Sequence, residues 1–476
     1  MTATATPPHV DRASYRLVLT ILFASGLIYT VLVTLVVPAV HVLAAGIHGS
    51  DADATWILTT FVLSGSVATP IIGRLGDMYG RKRALVVVLV VVLAGVVLCG
   101  VSSSFVPLIV GRLLAGTSSG VFPLAYGILR DEYEGERVAA AIGIMSISIG
   151  VGTGVGFVLS GVIISSFSYH WLFWFPLALI IPTLIATVLY VPESPSRPGG
   201  SVDWFGAALL TAGLLALLVA ISEAQAWGWA SARTLGLLAA GLAVLVVWTA
   251  VETRTAEPLI DMDTMRIPAV WRTNAVAFLL GVGLFAGFSV IPQFAEQATS
   301  TGYGFADSVL TAGLFLVPAT VGMVVIGPLA GVIERRWGSK VPLVAGSAIS
   351  AIGFLVIAVS DSTPWHIFLA TALFGVGMGL AYAAMPNIIL DACPGEQTGA
   401  ATSINTIMRV IGGALGIQVC ETLVAQHTSA AGLPTNAGFE LAFWLCTIGL
   451  VAATVVAALV PSRRVGVSTA SITELA

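Results

Sequence analysis

Charged residues are scarce in this chain. Asp, Glu, Lys and Arg together make up 9% of its 476 residues, while apolar types make up 57%. A soluble domain carries roughly 25% charged residues. A water-soluble fold of this length could not hide so much apolar surface, so lipid is the natural solvent. The four cysteines, Cys99, Cys393, Cys420 and Cys446, lack metal-ligand or disulfide spacing and read as small core residues. No Gly-x-x-x-x-Gly-Lys-Ser/Thr loop is present, which argues against an ATP-driven pump. No Ser/His/Asp cluster, metal spacing or soluble catalytic stretch appears. The chain is therefore not expected to be an enzyme, to carry a cofactor or metal, or to bind nucleic acid.

What fills the chain instead is long apolar runs. Ala84 to Gly111 contains no charge at all, and a membrane-spanning helix needs only about 20 apolar residues. In hydrocarbon the backbone amides must be paired within the segment, which leaves helices or a closed barrel. Barrel strands are short and alternating, whereas these runs are long and continuous. The expected fold class is therefore all-α, with fourteen spans near 17–40, 54–73, 84–102, 106–129, 138–163, 170–191, 204–222, 234–251, 273–295, 306–331, 341–360, 364–389, 400–423 and 439–460. The basic residues test that count. With both termini inside, seventeen of the twenty Lys and Arg fall on the cytoplasmic side. Only Arg233 falls outside, and Arg112 and Arg409 lie within spans. Short cytoplasmic loops attract Lys and Arg, and a missed or invented helix would scramble this partition. The expected location is the plasma (inner) membrane, with the chain a multi-pass monomer in the lipid bilayer.

A weak duplication divides the chain. Gly116 and Gly120 in span 4 match Gly375 and Gly379 in span 12, and Asp131/Glu136 match Asp391/Glu396, at an offset of 259 to 260 residues. Gly73 and Gly80 match Gly331 and Gly338. Transporters built from two related halves hold their solute between them near the bilayer midplane. The expected organisation is a cytoplasmic tail (1–16), a six-helix bundle (17–191), a linker with two extra spans (192–272), a second six-helix bundle (273–460) and a second tail (461–476).

The run Gly73-Arg-Leu-Gly-Asp77-Met-Tyr-Gly80-Arg81-Lys82-Arg83 resembles the signature between helices 2 and 3 of the major facilitator superfamily. Arg112 with Gly116 and Gly120 is similar to its helix-4 signature. Gly152-Thr-Gly-Val-Gly156-Phe157-Val-Leu-Ser160-Gly161 is similar to the helix-5 signature of its antiporters, with Phe157 and Ser160 replacing a Pro and a Gly. The extra central spans, Asp203-Trp-Phe-Gly206 and Glu257-Pro-Leu-Ile-Asp261, make the chain resemble the fourteen-helix drug:proton antiporters. The resemblance covers roughly residues 15 to 460. It departs at helix 1, where Tyr29 stands in place of the family's usual Asp.

The resemblance implies a conformational latch at Gly73, Asp77, Gly80, Arg81 and Asp131. The chemistry agrees, because a carboxylate at a membrane edge needs an Arg or helix-terminal amides as partner; the bland alternative is a solvated basic loop that only fixes topology. An intramembrane charge is a functional candidate by default. Arg112 is thus read as lining a central cavity, against a fixed ion pair or snorkelling. Arg409, one turn after Asn405, serves either a cavity or helix packing. Glu296 and Glu421 are the best candidates for a protonatable carboxylate, against simple interface residues at span ends. Gly152, Gly156 and Gly161 read as helix-packing positions at a rocking interface.

These readings point to proton-coupled efflux of drugs or other small amphiphilic compounds by alternating access. The proton gradient would supply the energy, with the solute and protons as the partners. A facilitated or otherwise coupled carrier of a small, anionic metabolite is the alternative, given Arg112, Arg409 and no acid in span 1. A non-transporting receptor or sensor is a third class, with no motif to support it.

Overall fold

A computed structural model describes residues 12–49, 51–133, 136–194, 201–299, 303–305, 309–360, 363–394, 397–429 and 433–461. Arg197, Glu396, Arg463 and Arg464, and most of both expected tails, lie outside the described residues. Among the described residues, fourteen helices are long and apolar enough to cross a membrane. In chain order, spans 1 to 7 are Tyr15–Thr34, Trp56–Tyr79, Arg81–Val101, Phe105–Glu132, Arg137–Ser166, Trp171–Tyr190 and Trp204–Ser222. Spans 8 to 14 are Ala232–Glu252, Pro268–Glu296, Thr311–Trp337, Lys340–Val359, Pro364–Ala392, Thr398–Gln426 and Asn436–Ala458. The chain is an all-helical, multi-pass membrane protein.

The expected spans are all present, but spans 1, 2 and 4 depart from expectation for local reasons. Span 1 stops at Thr34 and not near residue 40, and a turn leads into the short helix Val40–Gly46. Pro38 sits in that turn and has no N–H to give to the Thr34 carbonyl. Span 2 runs on to Tyr79, so Gly73 and Asp77 lie on its last two turns, not in a loop. Gly80 ends it with φ +112°, a conformation that glycine adopts without strain. Span 4 is two helices, Phe105–Gly116 and Val121–Glu132, joined by a 3-10 turn over Thr117–Gly120.

The internal repeat is visible as packing. Gly116 of span 4 faces the Phe61 carbonyl of span 2, and Gly120 faces Ile72. Gly375 of span 12 faces the Ala319 carbonyl of span 10, and Gly379 faces Met323 and Ile326. In both places a Cβ would meet the partner helix, so the glycines set the approach. Spans 7 and 8 pack on each other. Span 7 also packs on spans 2 and 13, while much of span 8, including Leu242, Val246 and Val247, is exposed.

Candidate functional site

A cavity of about 860 Å³ lies between spans 1, 2 and 5 on one side and spans 9 and 13 on the other. Thr69 and Ser119 line its deep end. Exposed Val42 and Gln225 line the end where it reaches the surface. Five aromatic rings line it, those of Tyr29, Phe61, Phe157, Phe285 and Phe288. Phe157 and Phe288 meet edge to face across it, with centroids 6.0 Å apart. The rings supply flat apolar contact area.

Glu421 and Glu296 both border this cavity, and their settings differ. Glu421 is half-buried. Its Oε1 accepts hydrogen bonds from Ser289 Oγ at 2.7 Å and from Gln293 Nε2 at 2.6 Å. Two neutral donors from span 9 thus hold the carboxylate in place without cancelling its charge. Glu296 is exposed at the mouth. Tyr29, in the position where an acid was looked for, lines the cavity beside Phe61 and edge-on to Phe122, at 6.2 and 5.6 Å between ring centroids. Gly161 of span 5 lies on the same lining.

The two intramembrane arginines do not border the cavity, contrary to the cavity-lining reading of Arg112. Arg112 is 1% exposed and donates to the Ile57 and Leu32 carbonyls at 3.1 and 3.2 Å. Its guanidinium lies 4.3 Å from the centre of the Phe61 ring. It therefore ties spans 1, 2 and 4 together behind the cavity wall. Main-chain acceptors and a ring face satisfy a guanidinium that would otherwise be costly in apolar surroundings. Arg409 is also buried, and its guanidinium lies 4.9 Å from the centre of the Tyr382 ring. Asn405, one turn earlier, donates to Asn274 of span 9 at 3.1 Å, which is helix packing.

At the end opposite the mouth the chain is clasped shut. Arg81 bonds Asp77 at 2.8 Å and Asp131 at 2.6 Å, and its Nη1 also donates to the Gly127 carbonyl at 3.1 Å. The second oxygen of Asp77 accepts the backbone N–H groups of Gly399 and Ala400, at 2.9 and 3.3 Å, at the start of span 13. The carboxylate thus meets an Arg and a positive helix terminus together. Close approach of backbones makes this possible. A Cβ on Gly73 would meet Ser403 Oγ at 2.5 Å and the Gly399 carbonyl oxygen at 2.7 Å. Ser403 Oγ donates to the Thr69 carbonyl at 3.1 Å.

Span 5 packs its glycines on two opposite faces. Gly152 and Gly156 face Thr30 and Thr34 of span 1. Gly150 and Gly154 face Met323 and Thr320 of span 10. The positions read as a rocking surface, Gly152 and Gly156, therefore pack within the first half. Their alternate neighbours meet the second half.

Sequence reasoning passed over several residues. Arg130 donates to Thr398 Oγ1 at 2.7 Å and to the Cys393 carbonyl at 3.2 Å, a further link across the clasped end. Ser289 and Gln293, which hold Glu421, carry no motif. Their spacing of four residues in a span ending near an acid was the only available signal. In span 10, buried Glu334 accepts a hydrogen bond from Asn387 at 2.6 Å. The four cysteines are free and buried.

Residues 22–417 match the family profile described as Major Facilitator Superfamily. An uncharacterised MFS-type transporter of Mycobacterium tuberculosis is 28% identical over 87% of this chain. The chain spans 61% of that relative's length. The tetracenomycin C resistance and export protein of Streptomyces glaucescens is 26% identical, over 83% of this chain and 73% of its own. The multidrug transporter protein MdtP of Bacillus subtilis is 25% identical, over 78% of this chain and 68% of its own. Among solved structures, the human organic anion transporter MFSD10 superposes with a TM-score of 0.66 over 95% of this chain and 100% of that one, at 18% identity. That last likeness is one of fold.

Proposed function

Because this chain belongs to the major facilitator superfamily of membrane transporters, we propose that it is a secondary active exporter of small amphiphilic, cationic compounds, driven by the proton gradient. One observation carries the reading. A ring-lined cavity walled by both halves holds a half-buried carboxylate, Glu421, and is clasped shut at the end away from its mouth. An apolar, aromatic lining whose charged groups are the carboxylates Glu421 and Glu296 suits a greasy cation, and Glu421, with no cationic partner among the described residues, suits a proton. The two occupants would then exclude each other at Glu421. The relatives named for tetracenomycin C export and multidrug transport agree with this substrate class.

In this reading residues 17–191 and 273–460 are two bundles that rock about the cavity, and spans 7 and 8 ride outside them within the linker 192–272. The Asp77 end faces the cytoplasm, as the crowding of Lys and Arg there supports, and both termini lie on that side of the plasma membrane. The conformation described is then outward-open. Asp77, Arg81 and Asp131, with Gly73 and Gly80, hold the cytoplasmic side closed and release when it opens. An anionic metabolite is the weaker choice, since Arg112 and Arg409 stand off the cavity lining.

The test is uptake of a fluorescent lipophilic cation into everted vesicles with an imposed proton gradient. Uptake that collapses with an uncoupler supports antiport. Transport that survives loss of the gradient, or that carries anions and not cations, overturns it.

A further inference from the structure

Spans 7 and 8 carry a pair of carboxyls, half-buried Asp203 and buried Glu252, that the transport reading leaves unused. Asp203 caps the start of span 7, and Glu252 is the last residue of span 8. One oxygen of each is occupied. Asp203 Oδ1 accepts the Gly206 N–H at 2.8 Å, and Glu252 Oε1 accepts the Ile260 N–H at 2.8 Å. The other two, Asp203 Oδ2 and Glu252 Oε2, are enclosed and have no donor among the described residues. They converge on one spot: a methyl group added to Gly206 would collide with both. Both oxygens lie 2.8 Å or less from the position that methyl carbon would take.

Two bare carboxylates in such a place repel strongly, because little water is present to screen them. One proton converts the repulsion into a charge-assisted O–H···O bond, the strong class of hydrogen bond. We infer that Asp203 and Glu252 share a single proton, a proton site separate from the transport cavity, and that this proton fastens span 7 to span 8 and to the gate-bracing segment that follows.

That segment reaches the gate in two steps. Glu252 holds the Ile260 amide, and the next residue, Asp261, accepts a hydrogen bond from Gln397 Nε2 at 3.1 Å. Thr264 donates to Gln397 Oε1 at 2.7 Å. Gln397 directly precedes span 13, whose first amides hold Asp77.

The charged neighbours leave the proton to this pair. Arg74 of span 2 borders a polar pocket of about 350 Å³ with Glu252, as do Asp261, Asp263 and Arg266 of the connecting segment. Asp263 pairs with Arg266 at 3.3 Å, and Asp261 caps the Asp263 amide at 2.9 Å. Glu257 accepts from the Ser201 amide and hydroxyl, which hold its carboxyl below the usual range, so it stays charged. Gln397 and, from span 13, Ala400 also line this pocket, and neither is charged. A metal ion fits poorly. Hard cations take six or more oxygens, and the residues beside the pair, among them Ala207, Leu210, Trp248, Leu259 and Ile260, form one apolar cluster.

With the shared proton held the brace is closed, and its loss to alkali leaves two like charges at one spot and loosens the brace. Infrared spectra and hydrogen exchange of the full chain in nanodiscs test this without any transported compound, so failure here and failure of the transport reading are separable. The wild type is expected to show a protonated-carboxyl C=O band at neutral pH, bleached by alkali and removed by either Asp203→Asn or Glu252→Gln. In alkaline buffer, Glu252→Gln is expected to exchange the Leu259–Ile260 amides about tenfold more slowly than wild type, the change for a one-unit proton linkage. Its amide oxygen still accepts from Ile260 and its NH₂ donates to Asp203. If Glu252→Gln does not fold, Asp203→Asn gives the same comparison from the other side of the pair. A band untouched by both substitutions overturns the inference. So does equal exchange in wild type and variant at all pH, or a band absent in wild type with exchange that responds to added sodium or calcium.

Discussion

The Asp77 carboxylate of span 2 accepts the backbone N–H of Gly399, the second residue of span 13, at 2.9 Å across 322 positions of sequence. Its other oxygen bonds Arg81. One side chain therefore joins an ion pair within the first half to the helix terminus of the second.

Asp77→Asn leaves Arg81 short of one charge partner in a buried place. Breaking a buried pair costs about 3–5 kcal/mol, and about 1.4 kcal/mol already changes a population tenfold. The closed state of the clasp is expected to lose at least that factor. Maleimide labelling of Ser403→Cys, applied from the Arg81 side, is expected to rise accordingly, while net transport falls.

Gly73→Val tests the same interface without touching charge. The added atoms meet Ser403 and the Gly399 backbone, so the wedge is expected to open the clasped end as Asp77→Asn does. High salt would leave its effect unchanged, because no screened charge is involved. Labelling at two salt concentrations checks this.

The fold was legible because its causes are local. Apolar run length gave the count of spans, and Gly73, Asp77 and Arg81 lay in a motif whose chemistry demands partners, such as Asp131 at the end of span 4. The site was legible only in part. Arg112 looked like a cavity group because an intramembrane guanidinium is costly, but the carbonyls that satisfy it, Leu32 and Ile57, are invisible in a sequence. Backbone acceptors belong to every residue and mark none. Gly152 and Gly156 were read as packing at a rocking interface but meet span 1; which partner helix each face meets depends on how span 5 is rotated, and a Gly-x-Gly run has no polar face to set that. Asp203 and Glu252 meet only because spans 7 and 8 pack side by side, a relation between positions far apart in the chain.

Glu421→Gln keeps the hydrogen bond from Ser289 but removes the charge. Efflux of cations is expected to fall about tenfold or more, the weight of one lost charge contact in a partly buried site, and the remainder to lose its pH dependence. Glu296→Gln, at an exposed position where charge counts for about 1 kcal/mol or less, is expected to change efflux by no more than a few-fold. Vesicle uptake at several pH values separates the two.

Phe157→Ala removes the ring that meets Phe288 across the cavity. An aromatic pair contributes about 0.5–1.5 kcal/mol beyond its buried area. Binding of aromatic cations is expected to weaken about two- to tenfold, with compact aliphatic cations less affected. Fluorescence titration with two dyes of differing ring content checks it.

The most direct test is a pair of spin-label distances measured on the same preparation. Labels at Arg83 and Arg336 report the clasped end, and labels at Val42 and Leu433 report the mouth. Adding a lipophilic cation under a proton gradient should lengthen the first distance in the same fraction of molecules in which the second shortens. Both distances staying fixed, or both lengthening together, would contradict alternating access about this cavity.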